Sequence, residues 1–434
     1  MNHKEVFEEL TLAYYYAAPL IMSHAVAAGK PRNEFVHMPG PADADRKIVA
    51  RPGVDQVASY AWLDLSTSPI VLTTPSSVSD AYPKGRYLTY QIMDAWTNCV
   101  ALLGTGFING NNGGKYVFTG PGFKGETPAE YHRIDCPTDF TIIWSRTFCL
   151  DKSEMPEINK LKSHFKLEPL FPDKYVEKKA PGFPAKLTGP VAMVASLDIE
   201  AYFNLFNELA RENDPYAYDK PVLDTIGKYG IGTGLTFSLN QFPEELRQDI
   251  SENLAQNVIS ATKGLFHDMP TVNSWHVSTK EVGRYGTNYI LRGTCALNGY
   301  AANPPEMCMY LTATHDQDGQ RLSGKHRYRI HFKNGQLPPI LETGYWSLIA
   351  YDADGYLMRN PLNRYKLSGW DSNFLYNEDG SLDLYVQHDP PAEKRINNYL
   401  PCGEGEMDIC LRLYLPLPEA RTDKWEPPII CRMD

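Results

Sequence analysis

Residues 325–391 constrain the fold more than any other stretch of the chain. In Arg327–Phe332 the apolar Tyr328, Ile330 and Phe332 alternate with Arg327, Arg329 and His331. Leu382, Leu384 and Val386 alternate in the same way with Asp383, Tyr385 and Gln387. Successive strand side chains point to opposite faces, so period two predicts strands with one buried face. Asp354-Gly355 and Asp379-Gly380 fall between such runs, where a hairpin needs positive φ. The chain is therefore expected to end in an antiparallel β domain whose polar strand faces are rich in Arg, His, Asn and Asp.

At 434 residues, two or three core-forming domains are expected. The 27 tyrosines suit β-sheet faces and clefts that bind polar ligands. The net charge is −10, and no Lys/Arg cluster exceeds a pair, which argues against a nucleic-acid partner. None of the eight cysteines forms a C-x-x-C pair, so buried free thiols in a reducing compartment are expected. Leu10–Gly29 carries no charge except at His24, but the leader before it is net negative, unlike that of an export signal. Three tyrosines and Pro19 suit a buried helix better than a membrane span. The expectation is a mature cytoplasmic start and no membrane partner.

Along the chain, residues 4–28 read as a helix kinked or broken near Pro19. Strand signals dominate 58–143, and 151–165 reads as a short helix. Residues 166–190, rich in Pro and Lys, read as a linker. Helices are expected over 198–212 and 242–267, and β structure from Ser274 onward. These signals predict a mainly β protein with helices (α+β). A helical segment (1–44) precedes an antiparallel β-sandwich or jelly-roll-like domain (45–165). A linker and helical segment (166–284) and a second such domain (285–434) follow. YGIGTGL (229–235) lacks the spacing of a dinucleotide loop. Three [DN]-x-D-G elements, at 316–319, 352–355 and 377–380, read as hairpin turns rather than calcium loops. No solenoid-type repeat is visible.

Several long motifs, in one order, resemble a known family. They include YYYAAPL (14–20), RPGVDQVASYAWLDLSTSPIVLTTP (51–75), RYLTYQIMDAWTN (86–98), DQDGQRLSGKHRYRIHFKNGQLPP (316–339) and YWSLIAYDADGYLMRNPLNRY (345–365). The family pairs an N-terminal domain of unknown function 1254 with a C-terminal domain of unknown function 1214. The resemblance implies two sandwich-like β domains with helices between, and no agreed reaction. Relatives usually read R-P-N-x-D-T-L-Y-S where this chain has Gly53, Gln56, Val57 and Ala58, a change expected to enlarge a pocket beside Asp55.

Four clusters could carry chemistry. Arg51, Asp55 and His37 combine a guanidinium, a carboxylate and an imidazole before the first sheet. Arg86, Gln91, Asp94, Trp96 and Asn98 surround a carboxylate set in an apolar strand, which must be paired to be buried. Arg329 and His331, with Trp346, Tyr351 and Asp352, suit recognition of an acid group. Asn360, Asn363, Arg364, Gln387, His388 and Asp389 lie on loops at a sandwich end. Asp55, Asp94, His37 and His331 are the expected acid–base residues. Arg51, Arg86, Gln91, Trp96, Asn98, Trp346, Tyr351, Asn360, Arg364 and His388 are the expected ligand contacts. Asp55 and Asp94 are expected to share one cleft. The sequence names no cofactor: it has no nucleotide motif, and a divalent metal would have to be held without H-x-H or H-E-x-x-H spacing. G-x-S-x-G is also absent. The expected function is an enzyme acting on a small polar or oxygenated metabolite in an inter-sheet or inter-domain cleft. The alternative is a non-catalytic carbohydrate- or metabolite-binding protein. A homo-oligomer is compatible with either.

Overall fold

The computed structural model describes residues 2–45, 50–177, 182–184, 189–262, 269–278, 280–422 and 424–434. Helix α1 (His3–Ala27) runs unbroken through Pro19 and is buried almost all round from Ala13 to Ala25. The expected break is absent because packing outweighs the lost helix bond. Proline removes the N–H that would have met the Tyr15 carbonyl. Gly293 lies against that carbonyl so closely that a Cβ there would sit 2.4 Å from its oxygen.

The first half supplies strands β1 (Phe35–His37), β2 (Gln56–Asp64), β3 (Ile70–Thr74), β4 (Leu88–Asp94), β5 (Cys99–Gly104), β6 (Ile108–Asn109), β7 (Gly114–Thr119), β8 (His132–Asp135), β9 (Phe140–Phe148) and β10 (Lys166–Pro169). They form a six-stranded sheet, β1-β2-β9-β4-β5-β6, and a four-stranded sheet, β10-β3-β7-β8. Alternation drives Ala61, Leu63, Tyr90 and Ile143 of the larger sheet onto Ile70, Leu72 and Phe118 of the smaller, making a sandwich. The expected linker thus begins with a strand of this domain, since β10 pairs with β3.

The helical region comprises α2 (Met155–Lys162), α3 (Pro190–Ala195), α4 (Ile199–Leu209), α5 (Lys220–Gly227), α6 (Glu244–Asp249) and α7 (Ala255–Thr262). A π turn over Ile250–Leu254 joins α6 to α7. The last residues of the expected 242–267 helix lie outside the described residues. The Asp198 side chain caps α4 by accepting from the Ala201 N–H at 2.7 Å. A further helix, α8 (Tyr289–Asn298), lies where only β structure was expected. Its β-branched and Gly content masks it, although Asn288 caps its start and Gly299 follows its end.

The second half supplies β11 (Thr271–Val272), β12 (Trp275–Val277), β13 (Cys308–Ala313), β14 (Tyr328–Phe332), β15 (Ile340–Asp352), β16 (Lys366–Ser368), β17 (Leu382–Gln387), β18 (Tyr399–Pro401), β19 (Met407–Pro416) and β20 (Ile430–Arg432). The sheets are β11-β12-β13-β19-β15-β16 and β18-β17-β14-β20, with a shared core that includes Leu311, Tyr328, Ile330, Leu348, Leu384 and Leu411. The β structure of this half thus starts at Thr271, earlier than expected. The eight cysteines are free, and only Cys431 is not fully buried. Among the described residues no helix is long and apolar enough to cross a membrane.

The two sandwiches share one topology. The order β1-β2-β9-β4-β5 corresponds to β12-β13-β19-β15-β16, and β10-β3-β7-β8 to β20-β14-β17-β18. In both four-stranded sheets the last pair is parallel. The hairpin turn that ends β4 matches the one that ends β15. In each, an aspartate backbone and side chain take N–H groups of the following residues. Asp94 accepts from the N–H groups of Thr97 and Asn98, and Asp352 from those of Gly355 and Tyr356. The fourth residue of each turn is left-handed, Thr97 at φ 67° and Gly355 at φ 85°. The repeat escapes sequence inspection because it is a whole domain long, and DAWTN and DADGY share only two residues.

Candidate functional site

Aligning Asp94 with Asp352 fixes the correspondence between the halves. Asp94 pairs with Thr141 on β9 and Asp352 with Met407 on β19, so Arg146 corresponds to Arg412 and Phe148 to Tyr414. Tyr87 and Tyr345, each seven residues before its aspartate, also correspond. These residues lie on the outer faces of the two six-stranded sheets, and the faces meet. Tyr87 contacts Tyr345 edge-on at 5.4 Å. Phe148 lies 4.7 Å from Tyr345, and its counterpart Tyr414 lies 5.7 Å from Tyr87. Reciprocal contacts of this kind define a two-fold interface, here between halves of one chain.

The interface has two equivalent junctions of opposite chemistry. At one, Met307 packs with Leu102 and Phe107 in a small apolar cluster. Its counterpart consists of Asp55, Lys366 and Asp371. The backbone bonds match: the Leu415 N–H donates to the Met307 carbonyl as the Cys149 N–H donates to that of Asp55. Phe107 N–H bonds the Gly104 carbonyl as Asp371 N–H bonds that of Ser368. Asp55 is fully buried. Its carboxylate accepts from the Ser347 hydroxyl at 2.6 Å and pairs with the Lys366 ammonium at 3.1 Å. Lys366 also donates to the Cys149 carbonyl at 3.1 Å. Asp371 accepts from the Ser368 N–H at 2.8 Å. Burial raises its proton affinity above the usual carboxylate range, although the Ser368 N–H and Lys366 pull the other way.

Lys366 and Asp371 open onto a cleft of about 610 Å³ between the two halves. The first half lines it with Asp43, Val54, Asp151 and Lys152, and the second with Asn363, Arg364, Asn373 and Asn397. Its volume and position at a domain interface suit a small ligand. Among the described residues no three His, Cys, Asp or Glu side chains are grouped to hold a metal ion. What the cleft offers chemically is a carboxyl of raised proton affinity beside a lysine fixed by a buried aspartate.

The residues expected to form the site are spread over the molecule. Asp55 and Asp94 do not share a cleft. Asp94 lies beside Thr141 and Asp55 beside Cys149, at opposite ends of β9, which at about 3.3 Å per residue places them about 26 Å apart. Asp94 is the acceptor of its hairpin turn. It also takes a hydrogen bond from Tyr216, while Trp96 is buried under the helices and donates to the Asp214 carbonyl at 3.3 Å. Asn98 donates to Asp94 rather than to a cleft. His37 bonds Ser59 at 2.7 Å, four residues along β2 from Asp55, and burial and Lys162 lower its pKa. Arg51 pairs with Asp408 at 2.5 Å, not with Asp55.

Arg86 is buried between Glu154 and Glu157, which it contacts at 3.0 and 3.1 Å, and it stacks on Tyr82. Gln91 bridges Arg146 and the Ala302 carbonyl. Trp346 points into the C-terminal core and stacks on Phe374. It faces away from Tyr351, which donates to the Pro52 carbonyl at the interface. His331 lies on a third face, bonded to Asp383. His388 pairs with its neighbour Asp389 at 3.0 Å on an exposed turn. Asn360 holds the loop that positions Arg364. Of the residues singled out in the sequence, Asp55, Asn363 and Arg364 are therefore the ones at the charged junction and its cleft. Sequence reading passed over Ser347, Lys366 and Asp371. Nothing local marks them, since their partners lie in the other half of the chain.

No curated protein matches the chain. Two solved structures are similar over nearly all of it. The VPA0106 protein from Vibrio parahaemolyticus matches with a TM-score of 0.69 at 19% identity, covering 99% of this chain and 100% of that one. A putative uncharacterized protein from Burkholderia cenocepacia matches with a TM-score of 0.48 at 13% identity, covering 97% and 88%. The first of these supports the fold alone. Residues 32–169 match the family described as "Protein of unknown function (DUF1254)", and residues 307–418 match "Protein of unknown function (DUF1214)". The chain belongs to the two-domain family that pairs these domains in this order.

Proposed function

We propose that the chain handles a small polar or oxygenated metabolite in the cleft between its halves, with Asp371 and Lys366 as the acid–base pair and Asp55 as the group that positions Lys366. One observation carries this reading. The interface is built twice, and at one junction Met307, Leu102 and Phe107 join the halves with no charge. A buried ion pair adds little stability over apolar residues of similar volume. Three charges at the other junction are therefore not needed to hold the halves together. A carboxyl with raised proton affinity beside an ammonium suits proton transfer to a bound molecule. The amides of Asn363, Asn373 and Asn397 add hydrogen-bonding capacity for hydroxyl or carbonyl groups. Those amides equally favour the second reading, binding without turnover.

The test is a thermal-shift screen of small acids, sugars and amides against the wild type, Asp371→Asn and the double variant Asp55→Met/Lys366→Leu. A ligand specific to the folded state raises the melting temperature. The proposal expects hits in the wild type that vanish in the double variant while the protein stays folded. Hits unchanged in the double variant would place the ligand elsewhere. Turnover of a hit by the wild type but not by Asp371→Asn would select the enzyme reading.

A further inference from the structure

The outer face of the smaller C-terminal sheet carries a second arrangement, independent of the cleft. Alternation along β14 sends Tyr328, Ile330 and Phe332 into the core and leaves Arg329 and His331 outside. Register sets His331 opposite Asp383 and Arg329 opposite Tyr385 on β17. Asp383 bonds the His331 Nδ1 at 2.7 Å and orients the imidazole, leaving Nε2 as the ring's free nitrogen. The other Asp383 oxygen accepts from the Asn377 amide at 3.1 Å. Asn377 in turn accepts from Arg395 at 3.0 Å, which holds that guanidinium over the Tyr385 ring, 5.8 Å from its centroid.

The patch is rich in hydrogen-bond donors. Asp383 is committed on both oxygens, to His331 and Asn377, and the exposed carboxylate of Asp379, bonded to Ser381, also acts on His331. Arg329 makes no hydrogen bond among the described residues; it lies 4.0 Å from Asp383 with its side chain 40% exposed. Arg395 donates from Nη2 to Asn377, and its Nη1 is buried without a hydrogen-bond partner. We propose that this face binds a small oxyanion, a phosphate monoester or a carboxylate. Arg329 and Arg395 grip the oxygens, and the Asp383-oriented imidazole of His331 supplies a further hydrogen bond.

The experiment is isothermal titration of the full chain with sodium phosphate and, separately, sodium acetate, at ionic strength held constant with chloride. The proteins are the wild type, Arg329→Met, Arg329→Lys, Arg395→Met and Asp55→Met/Lys366→Leu. Far-UV circular dichroism checks that each is folded. The expected result is one saturable site in the wild type. It should weaken at least about tenfold in either Met variant, weaken less in Arg329→Lys, and persist in the cleft double variant. Saturation by phosphate alone identifies the phosphate monoester, and saturation by acetate identifies the carboxylate. No saturable binding of either anion, or equal binding in the wild type and both Met variants, overturns the proposal. Loss of binding in the cleft variant alone would also overturn it, by placing the anion at the other site.

Discussion

The apolar junction of Met307, Leu102 and Phe107 and the charged junction of Asp55, Lys366 and Asp371 occupy equivalent positions on a two-fold interface within one chain. The backbone around them is the same, down to matching carbonyl partners. The side chains differ in kind. The apolar set shows what joining the halves requires, which is buried hydrophobic surface. What the charged set adds must then serve something other than joining. The same contrast holds at the two equivalent turns. Gly355 takes the left-handed position without strain, while Thr97 takes it as a β-branched residue under the helical layer.

The largest effect expected from this comparison is at the charged junction. Lys366→Leu or Asp55→Met alone strands one buried charge and should cost about 3–5 kcal/mol. The double variant replaces the buried ion pair by the Met and Leu of the other junction and should come within about 1.5 kcal/mol of the wild type, or exceed it. Urea unfolding of all three decides the matter. A double variant as unstable as the singles would show that the junctions are not interchangeable. Next is Met307→Ala. Met307 is fully buried, so truncation should cost about 2–4 kcal/mol and leave ligand binding at the cleft intact. Changed ligand affinity in that variant would couple the two junctions.

Asp94→Asn sharpens the contrast between the turns through pH. Burial raises the Asp94 pKa above its ordinary value near 3.8, against the opposing hydrogen bonds of Tyr216 and Asn98. A raised carboxyl pKa contributes stability that is fully present below the unfolded value and is lost as pH rises through the folded value. As pH rises from about 4 towards 7 the wild type should therefore lose stability relative to Asp94→Asn in paired thermal melts. Parallel curves would mean that Asp94 titrates like a free carboxyl. The smallest effects are those of exchanging the turn residues. Thr97→Gly should stabilise by up to about 1 kcal/mol and Gly355→Thr should destabilise by about 1–2 kcal/mol. Like-signed shifts would show that surroundings, not backbone conformation, dominate at these positions.

Much of the fold was legible in the chain. Period two placed β14 and β17 and named their buried residues, because alternation is a local consequence of strand geometry. The Asp-Gly turns were legible for the same reason: donor and acceptor lie within four residues. The unbroken α1 and the hidden α8 were not, because each depends on the other. Gly293 and the carbonyl freed by Pro19 fit only when the two helices meet. The site was the least legible part. Asp94 stood out as a charge in an apolar strand, and its companion Asn98 was visible four residues on. The turn they make could have been recognised by setting DAWTN beside DADGY. Asp55 stood out as well, yet its partner Ser347 lies 292 residues away.

Sequence alone determined the family, the two β domains and the turn chemistry, since these rest on propensities and patterns within a few residues. Tertiary structure decided that the domains are topological copies, that they meet across a two-fold interface, and that one junction is charged where its twin is apolar. Those facts depend on strand register and on the docking of distant surfaces. Register and docking come from summing many weak contacts over the folded core, and no short stretch of sequence contains that sum.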